Sequence, residues 1–201
     1  MKETLYFYNS NSKKLTERYE KADVSEVQKL LLQTFEKNSN LLEIGCGSGR
    51  DASFMTRNDF NVIAIDGSKN MIEEAKKIHP ELSNNLFHKT LPNDLEFNQT
   101  FDGIYSIATL MHLSKIDLEE TILKIHDLLN SNGKFLMSVS LFRDDIDEHG
   151  FDNKERYFLI MSLDEWINLL EKIGFKILEA KTNSDGLSRD GIEWLTLVGQ
   201  K

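Results

Sequence analysis

Glu43, Gly45, Gly47 and Asp66 are the residues of this chain whose types and spacing could do chemistry together. The stretch "LLEIGCGSGR" (41–50) sets Gly45, Gly47 and Gly49 at every second position behind a short apolar run. Gly45 and Gly47 can take positive φ and carry no Cβ, so a ligand can rest on the backbone there. A helix expected from Arg50 adds free N–H groups and a partial positive charge, which suit an anion. A dinucleotide fingerprint wants G-x-G-x-x-G, and here Arg50 holds the place of its third glycine. Glu43, two residues ahead of the first glycine, would repel phosphate but could hold an ammonium group. Asp66 closes the next apolar run, "NVIAI", where it can accept both hydroxyls of a ribose. A tight turn without ligand is the alternative for the glycines, and a strand-end cap for Asp66.

A ligand with an ammonium, a carboxylate and a ribose, but no phosphate, meets these demands together. S-adenosylmethionine has those groups. Cys46, the only cysteine, reads as a small turn residue lending its backbone, because no base pairs with it in sequence to make a nucleophile.

The elements that must position these residues follow from periodicity. "DVSEVQKLLLQTFEKN" puts Val27, Leu31 and Phe35 on one helical face, and "NLLEI" follows as a strand. The helix from Arg50 buries Phe54 and Met55 and stops near Asn58. Ser68 caps the next, with Met71, Ile72, Ala75 and Ile78 as its apolar stripe and Pro80 as its end. "NLFHK", "FDGIYSI" and "GKFLMSVSLF" are further strands. Between the last two, "DLEETILKIHDLLN" opens with Asp117 and Glu120 at capping-box spacing. Ser162 and Glu165 form another box, for a helix that Gly174 stops. "FKILEAKT" and "IEWLTLVGQ" are joined by a loop too short for a crossover helix, which predicts an antiparallel hairpin. Strands alternating with helices predict an α/β fold, a mostly parallel sheet covered on both faces. Ligands of such sheets sit beyond the carboxyl ends of the strands, where strand order reverses.

The 201 residues are most simply one domain (1–201), with 1–38 as an N-terminal helical cap on a core of 39–201. Acidic residues outnumber basic ones, 33 to 24, and a net charge of −9 disfavours a nucleic-acid partner. No apolar run reaches membrane-spanning length and the first residues lack a signal-peptide core, so a cytoplasmic protein is expected. Neither a disulfide framework nor a metal site is expected.

With "VIAIDGSKNMIEEAKK", the stretch "LLEIGCGSGRD" resembles motifs I and II of class I S-adenosylmethionine-dependent methyltransferases. "FDGIYSIATLMHL" and "NSNGKFLMSVS" are similar to their fourth-strand and fifth-strand segments. The resemblance covers roughly residues 40 to 140. It implies a Rossmann-like, doubly wound, seven-stranded sheet, with S-adenosylmethionine as cofactor and S-adenosylhomocysteine as product. It also implies that Glu43, Gly45, Cys46 and Gly47 contact the methionine part and Asp66 the ribose. Gly67, Ser68 and Met71 would flank ribose and adenine, and Ile107 and Ala108 would lie beside the cofactor. Many relatives place an acidic residue after the third strand to bind the adenine amino group. This chain has Lys89 there, which leaves Thr90 and Leu91 as the neighbouring candidates.

His112 follows the fourth strand, in the loop that faces the transferred methyl group in that family. It would take a proton from an acceptor or orient it; a hydrogen bond to local backbone is the alternative. The acidic run "FRDDIDEHGFDNKERYFL" is either a solvated loop or an acceptor-binding lid, with Arg143 and Tyr157 as its candidates. Tyr8 and Tyr19 either lie in a helical lid over the cofactor or anchor their segment to the sheet. The chain lacks both the Asn/Asp-Pro-Pro-aromatic motif of amino-methylating nucleic-acid enzymes and a Pro-Cys pair for attack on cytosine C5. A small-molecule acceptor is the expectation, with the protein a monomer or homodimer. The rivals are a tRNA- or protein-directed methyltransferase and a non-catalytic cofactor-binding regulator.

Overall fold

Leu41, Leu42 and Ile44 in the five residues of β1 (Asn40–Ile44) are all buried, which a strand achieves only with cover on both faces. The computed structural model describes residues 2–184 and 191–201, and the loop between the last two strands falls largely outside these. In chain order the other strands are β2 (Asn61–Asp66), β3 (Leu86–His88), β4 (Phe101–Ile107), β5 (Leu129–Arg143), β6 (Lys176–Ser184) and β7 (Ile192–Gln200). They form one seven-stranded sheet in the order β3-β2-β1-β4-β5-β7-β6. The β3-β2-β1-β4-β5 pairs are parallel, and β7 runs antiparallel between β5 and β6. This is the α/β sheet expected, with its antiparallel C-terminal hairpin.

Strand order reverses at β1, which has β2 on one side and β4 on the other. Glu43 stands opposite Ala64 of β2 and Tyr105 of β4. The glycine turn therefore leaves the sheet at its switch point, with the ends of β2 and β4 beside it.

The helices are α1 (Lys2–Lys21), α2 (Ser25–Thr34), α3 (Arg50–Arg57), α4 (Lys69–Ile78), α5 (Lys115–Leu128) and α6 (Leu163–Ile173). One apolar cluster joins α5 and α6 to the sheet through Leu118, Ile122, Trp166 and Leu170. The other joins α2, α3 and α4 to its opposite face through Leu31, Met55 and Ile72. The first 34 residues thus hold two helices, α1 packing along α4 and α2 on the sheet.

Helix ends largely follow the local signals. Ser68 accepts from the Met71 N–H, Asp59 takes φ +70 just past α3, and Gly174 takes φ +120 after α6. The Ser162–Glu165 capping box is complete. Two details differ. Ile78 is 42% exposed, because the chain leaves α4 there for a 3₁₀ turn at Pro80–Leu82. The cap of α5 is Ser114, whose hydroxyl accepts from the Asp117 N–H. Asp117 is therefore the third helical residue rather than the cap, since Ser114 is extended at φ −64, ψ 160 and helical geometry has already begun at Lys115.

Candidate functional site

Beyond the carboxyl ends of β1, β2 and β4 lies a cavity of about 890 Å³. Its floor at the switch point is the glycine turn. Gly45 and Gly47 take φ +76 and +56, and the N–H groups of Gly45 and Cys46 both donate to the Ile65 carbonyl. A Cβ on Gly45 would sit 2.0 Å from Oγ1 of Thr109, so its empty space serves the packing of the β4 loop rather than a ligand. A Cβ on Gly47 would meet the Tyr19 ring at 3.5 Å. Tyr19 thus lies over the turn from the end of α1.

Asp66 braces this turn. One of its oxygens accepts from the Gly47 N–H at 2.9 Å and the other from the Ser68 N–H at 2.7 Å. Each carboxylate oxygen keeps a second lone-pair direction, and Asp66 borders the cavity. Glu43 is buried beneath the turn. The Tyr105 hydroxyl donates to it at 3.3 Å, and burial, then the nearby Asp51, push its carboxyl well above the usual range. Among the described residues Glu43 makes no ion pair. Arg50, just past the glycines, spends its guanidinium on Asp51 and on the Tyr19 carbonyl. Burial also raises the Cys46 thiol, which makes it a poor nucleophile.

The residues expected at the cofactor all line the cavity except Ser68 and Met71. These two are 0% and 1% exposed because α1 covers them. Asn9 accepts from the Ser68 hydroxyl and the Asn70 N–H, and the Thr16 hydroxyl, which donates to the Ser12 carbonyl, lies 3.9 Å from the Met71 sulfur. Thr90, Leu91 and Lys89 border the cavity, but the Lys89 ammonium is held by the carbonyls of Asp94 and Glu96. Ala108 takes the left-handed φ of +57, which turns the chain after Ile107. Thr109 then reaches back to the Gly45 carbonyl.

His112 ends a single 3₁₀ turn at Leu110–His112 and is buried. Its Nδ1 lies 2.6 Å from the Tyr157 carbonyl and its Nε2 3.1 Å from the Tyr8 hydroxyl. A carbonyl only accepts, so Nδ1 carries the proton and Nε2 accepts from Tyr8. Burial, with Arg156 and Arg143 nearby, lowers the imidazole to about 4 and outweighs the opposing bond to Tyr157. The ring is neutral at pH 7. Burial raises the Tyr8 phenol above its ordinary range, so it is a proton donor to Nε2. Tyr8, Tyr19 and Arg143 border the cavity as candidates, whereas the side chain of Tyr157 does not. Its ring packs on Phe151, centroids 5.5 Å apart, and its carbonyl alone reaches the site. The preceding residue, Arg156, lines the cavity instead. Sequence reasoning missed Arg156, Thr109 and Arg50; only Arg50 carried a local signal, its place directly after the glycines.

Residues 16–180 match the model of a family described as a methyltransferase domain, and the chain belongs to that family. It is an S-adenosylmethionine-dependent methyltransferase. The chain is 26% identical over 185 residues to an uncharacterized protein of Methanocaldococcus jannaschii, covering 89% of this chain and 77% of that protein. To an O-methyltransferase of Pyrenophora dematioidea it is 29% identical over 151 residues, covering 70% of this chain and 55% of the other. Among solved structures, it shares its fold with a 1,6-didemethyltoxoflavin-N1-methyltransferase of Burkholderia thailandensis bound to 1,6-didemethyltoxoflavin and S-adenosylhomocysteine. The TM-score there is 0.69 at 20% identity, covering 88% of this chain and 76% of that one.

The residues present fit the cofactor. Glu43, a buried carboxylate at the cavity that is near Arg50 but makes no ion pair among the described residues, suits an ammonium group. The free lone pairs of Asp66 suit hydroxyls. Among the described residues no helix is long and apolar enough to cross a membrane.

Proposed function

We propose that this methyltransferase acts on a small-molecule acceptor held against the Tyr8–His112 pair. The observation that carries this reading is the composition of the cavity wall. Tyr8 of α1, Arg143 at the end of β5 and Arg156 and Phe158 of the following segment all border the same space as the glycine turn. Two segments distant in sequence thus wall off the acceptor end, which suits a small molecule better than a polymer. We read residues 1–201 as one domain, 1–38 as its helical cap, acting as a monomer or homodimer.

In this reading Glu43 and the glycine-turn amides hold the amino-acid part of the cofactor, and Asp66 the ribose. Gly67, Thr90, Leu91, Ile107 and Ala108 shape the rest of its berth. Bound there, S-adenosylmethionine supplies an electrophilic methyl on a sulfonium, whose leaving thioether departs neutral. The chain's own task is to place the acceptor and take its proton. Holding two reactants in attack geometry lowers a barrier by up to ~7–11 kcal/mol in well-oriented systems. The proton of an O–H or N–H acceptor passes to the Tyr8 oxygen as the phenolic proton moves to Nε2 of His112. The Tyr157 carbonyl holds the ring in the tautomer this needs.

A labelled-methyl transfer screen across a small-molecule fraction, bulk tRNA and protein tests the reading. Label in small molecules is expected; label confined to RNA or protein overturns it. Tyr8→Phe and His112→Gln should each lower kcat by about 10²–10⁴-fold with S-adenosylhomocysteine affinity unchanged. Unchanged kcat in both would remove the proton role and leave positioning alone.

A further inference from the structure

Two guanidiniums and an imidazole gather around one ring. Phe158 has Arg143 Cζ 4.0 Å and Arg156 Cζ 5.1 Å from its centroid, and the His112 ring centroid lies 4.6 Å away. All four residues border the cavity. Each arginine is fixed by a two-point ion pair. Arg143 gives Nε and Nη2 to Asp145 at 2.8 and 2.6 Å, and Arg156 gives the same atoms to Asp152. Neither aspartate borders the cavity. The carboxylates therefore hold the guanidiniums from behind and set their orientation.

Arg143 is the less expected of the two. Its side chain is only 2% exposed, yet among the described residues its Nη1 has no hydrogen-bond partner. That nitrogen is not sealed from solvent, and its donor capacity opens where Arg143 borders the cavity. The charge of Arg156 reaches the Tyr8 hydroxyl and favours ionisation of its phenol. The carboxylates Glu43, Asp51 and Asp66 belong to the glycine-turn end of the same cavity. In a chain of net charge −9, the acceptor end is thus walled by oriented cations.

We propose that the acceptor carries an anionic oxygen group, a carboxylate or a phosphate, that seats on the cavity-facing sides of Arg143 and Arg156, the latter also hydrogen-bonded to Tyr8. This rests on the small-molecule reading above. The same contact has a catalytic consequence. The charged and titratable groups that face His112 are Tyr8 from α1, Arg143 from β5, and Arg156 and Asp152 from the segment after it. Both arginines oppose a positive charge on the imidazole, so an anion between them relieves that opposition. The acceptor's own anionic group readies His112 for the proton taken from its reacting atom. An acceptor lacking that group would meet a weaker base.

The test reads the titration of His112 by NMR in protein saturated with S-adenosylhomocysteine. The added probes are benzoate, phenyl phosphate or benzamide. At least one of the two anions should raise the His112 midpoint by about one unit, a tenfold change in proton affinity, and benzamide should not. Which anion acts separates carboxylate from phosphate. Arg156→Gln should abolish the shift, and Arg143→Lys, which keeps the charge but loses the fork, should weaken it. No shift with either anion, or an equal shift with benzamide, overturns the proposal. In the transfer screen, acids paired with their amides should be methylated as the acids, and Arg156→Gln should raise the acceptor KM at least about tenfold. Neutral acceptors with a KM indifferent to Arg156→Gln overturn the arginine site alone. Label in RNA with the anion shift intact overturns only the small-molecule reading.

Discussion

Gly45 shows that a glycine of a turn bordering a cavity can be fixed by its protein neighbours. Its φ of +76 and the Thr109 hydroxyl at 2.0 Å from a built Cβ both oppose any side chain. Gly45→Ala should destabilise the fold by about 1–3 kcal/mol, read from denaturant midpoints at unchanged m-value. Recovery of part of that loss in Gly45→Ala/Thr109→Ala, measured against Thr109→Ala alone, would confirm the clash as its source. Glu43 makes a second residue-scale prediction. Its carboxyl is held well above the usual range in the free protein. An ammonium bound beside it favours the ionised form and lowers that pKa. Between the two values cofactor binding releases a proton, so affinity for S-adenosylhomocysteine should rise with pH across that window. Calorimetry in two buffers of different ionisation enthalpy checks this. A proton uptake would contradict the assignment, and Glu43→Gln should remove the linkage.

At the scale of elements, caps and covers decide more than propensity does. Ser114 starts α5, and Asp117 only supports it. Ser114→Ala should cost about 1 kcal/mol and Asp117→Ala less, roughly 0.3–1 kcal/mol, since an acid in the first turn contributes through the helix dipole. Equal losses, or the reverse order, would restore Asp117 as the cap. Helix α1 has the larger role. It contacts the glycine turn through Tyr19, α4 through Asn9 and Thr16, and the 144–161 segment through Thr4, which accepts from the Tyr157 N–H at 2.9 Å. One helix thus ties the glycine-turn end of the cavity to the end walled by the 144–161 segment.

For the whole molecule, a ligand that binds only the folded state adds its binding free energy to stability. S-adenosylhomocysteine at 100 times its Kd should stabilise the protein by about 2.7 kcal/mol. Asp66→Ala should lose most of that gain at the same ligand concentration. It should also lower the ligand-free stability by about 1–3 kcal/mol, because the Gly47 and Ser68 amides lose their shared acceptor. A variant that keeps the full ligand-induced shift would sink the ribose assignment.

The sequence alone determined the order of helices and strands from α2 onward, the glycine turn, and the places of Glu43 and Asp66, and marked α1 only as part of a helical cap. Each depends on residues a few positions apart, and apolar periodicity, caps and turn glycines act at that range. Even Ser162 with Glu165 and Gly174 behaved as their neighbours dictated. The tertiary structure alone decided what meets in space. Tyr8 and His112 are 104 positions apart, and Thr4 and Tyr157 are 153 apart. The choice of Arg156 over the Tyr157 ring as a cavity wall depends on how an irregular segment returns across β5. The burial of Ser68 and Met71 depends on where α1 lies. Such contacts are set by packing of whole elements, and short-range pattern carries no trace of them.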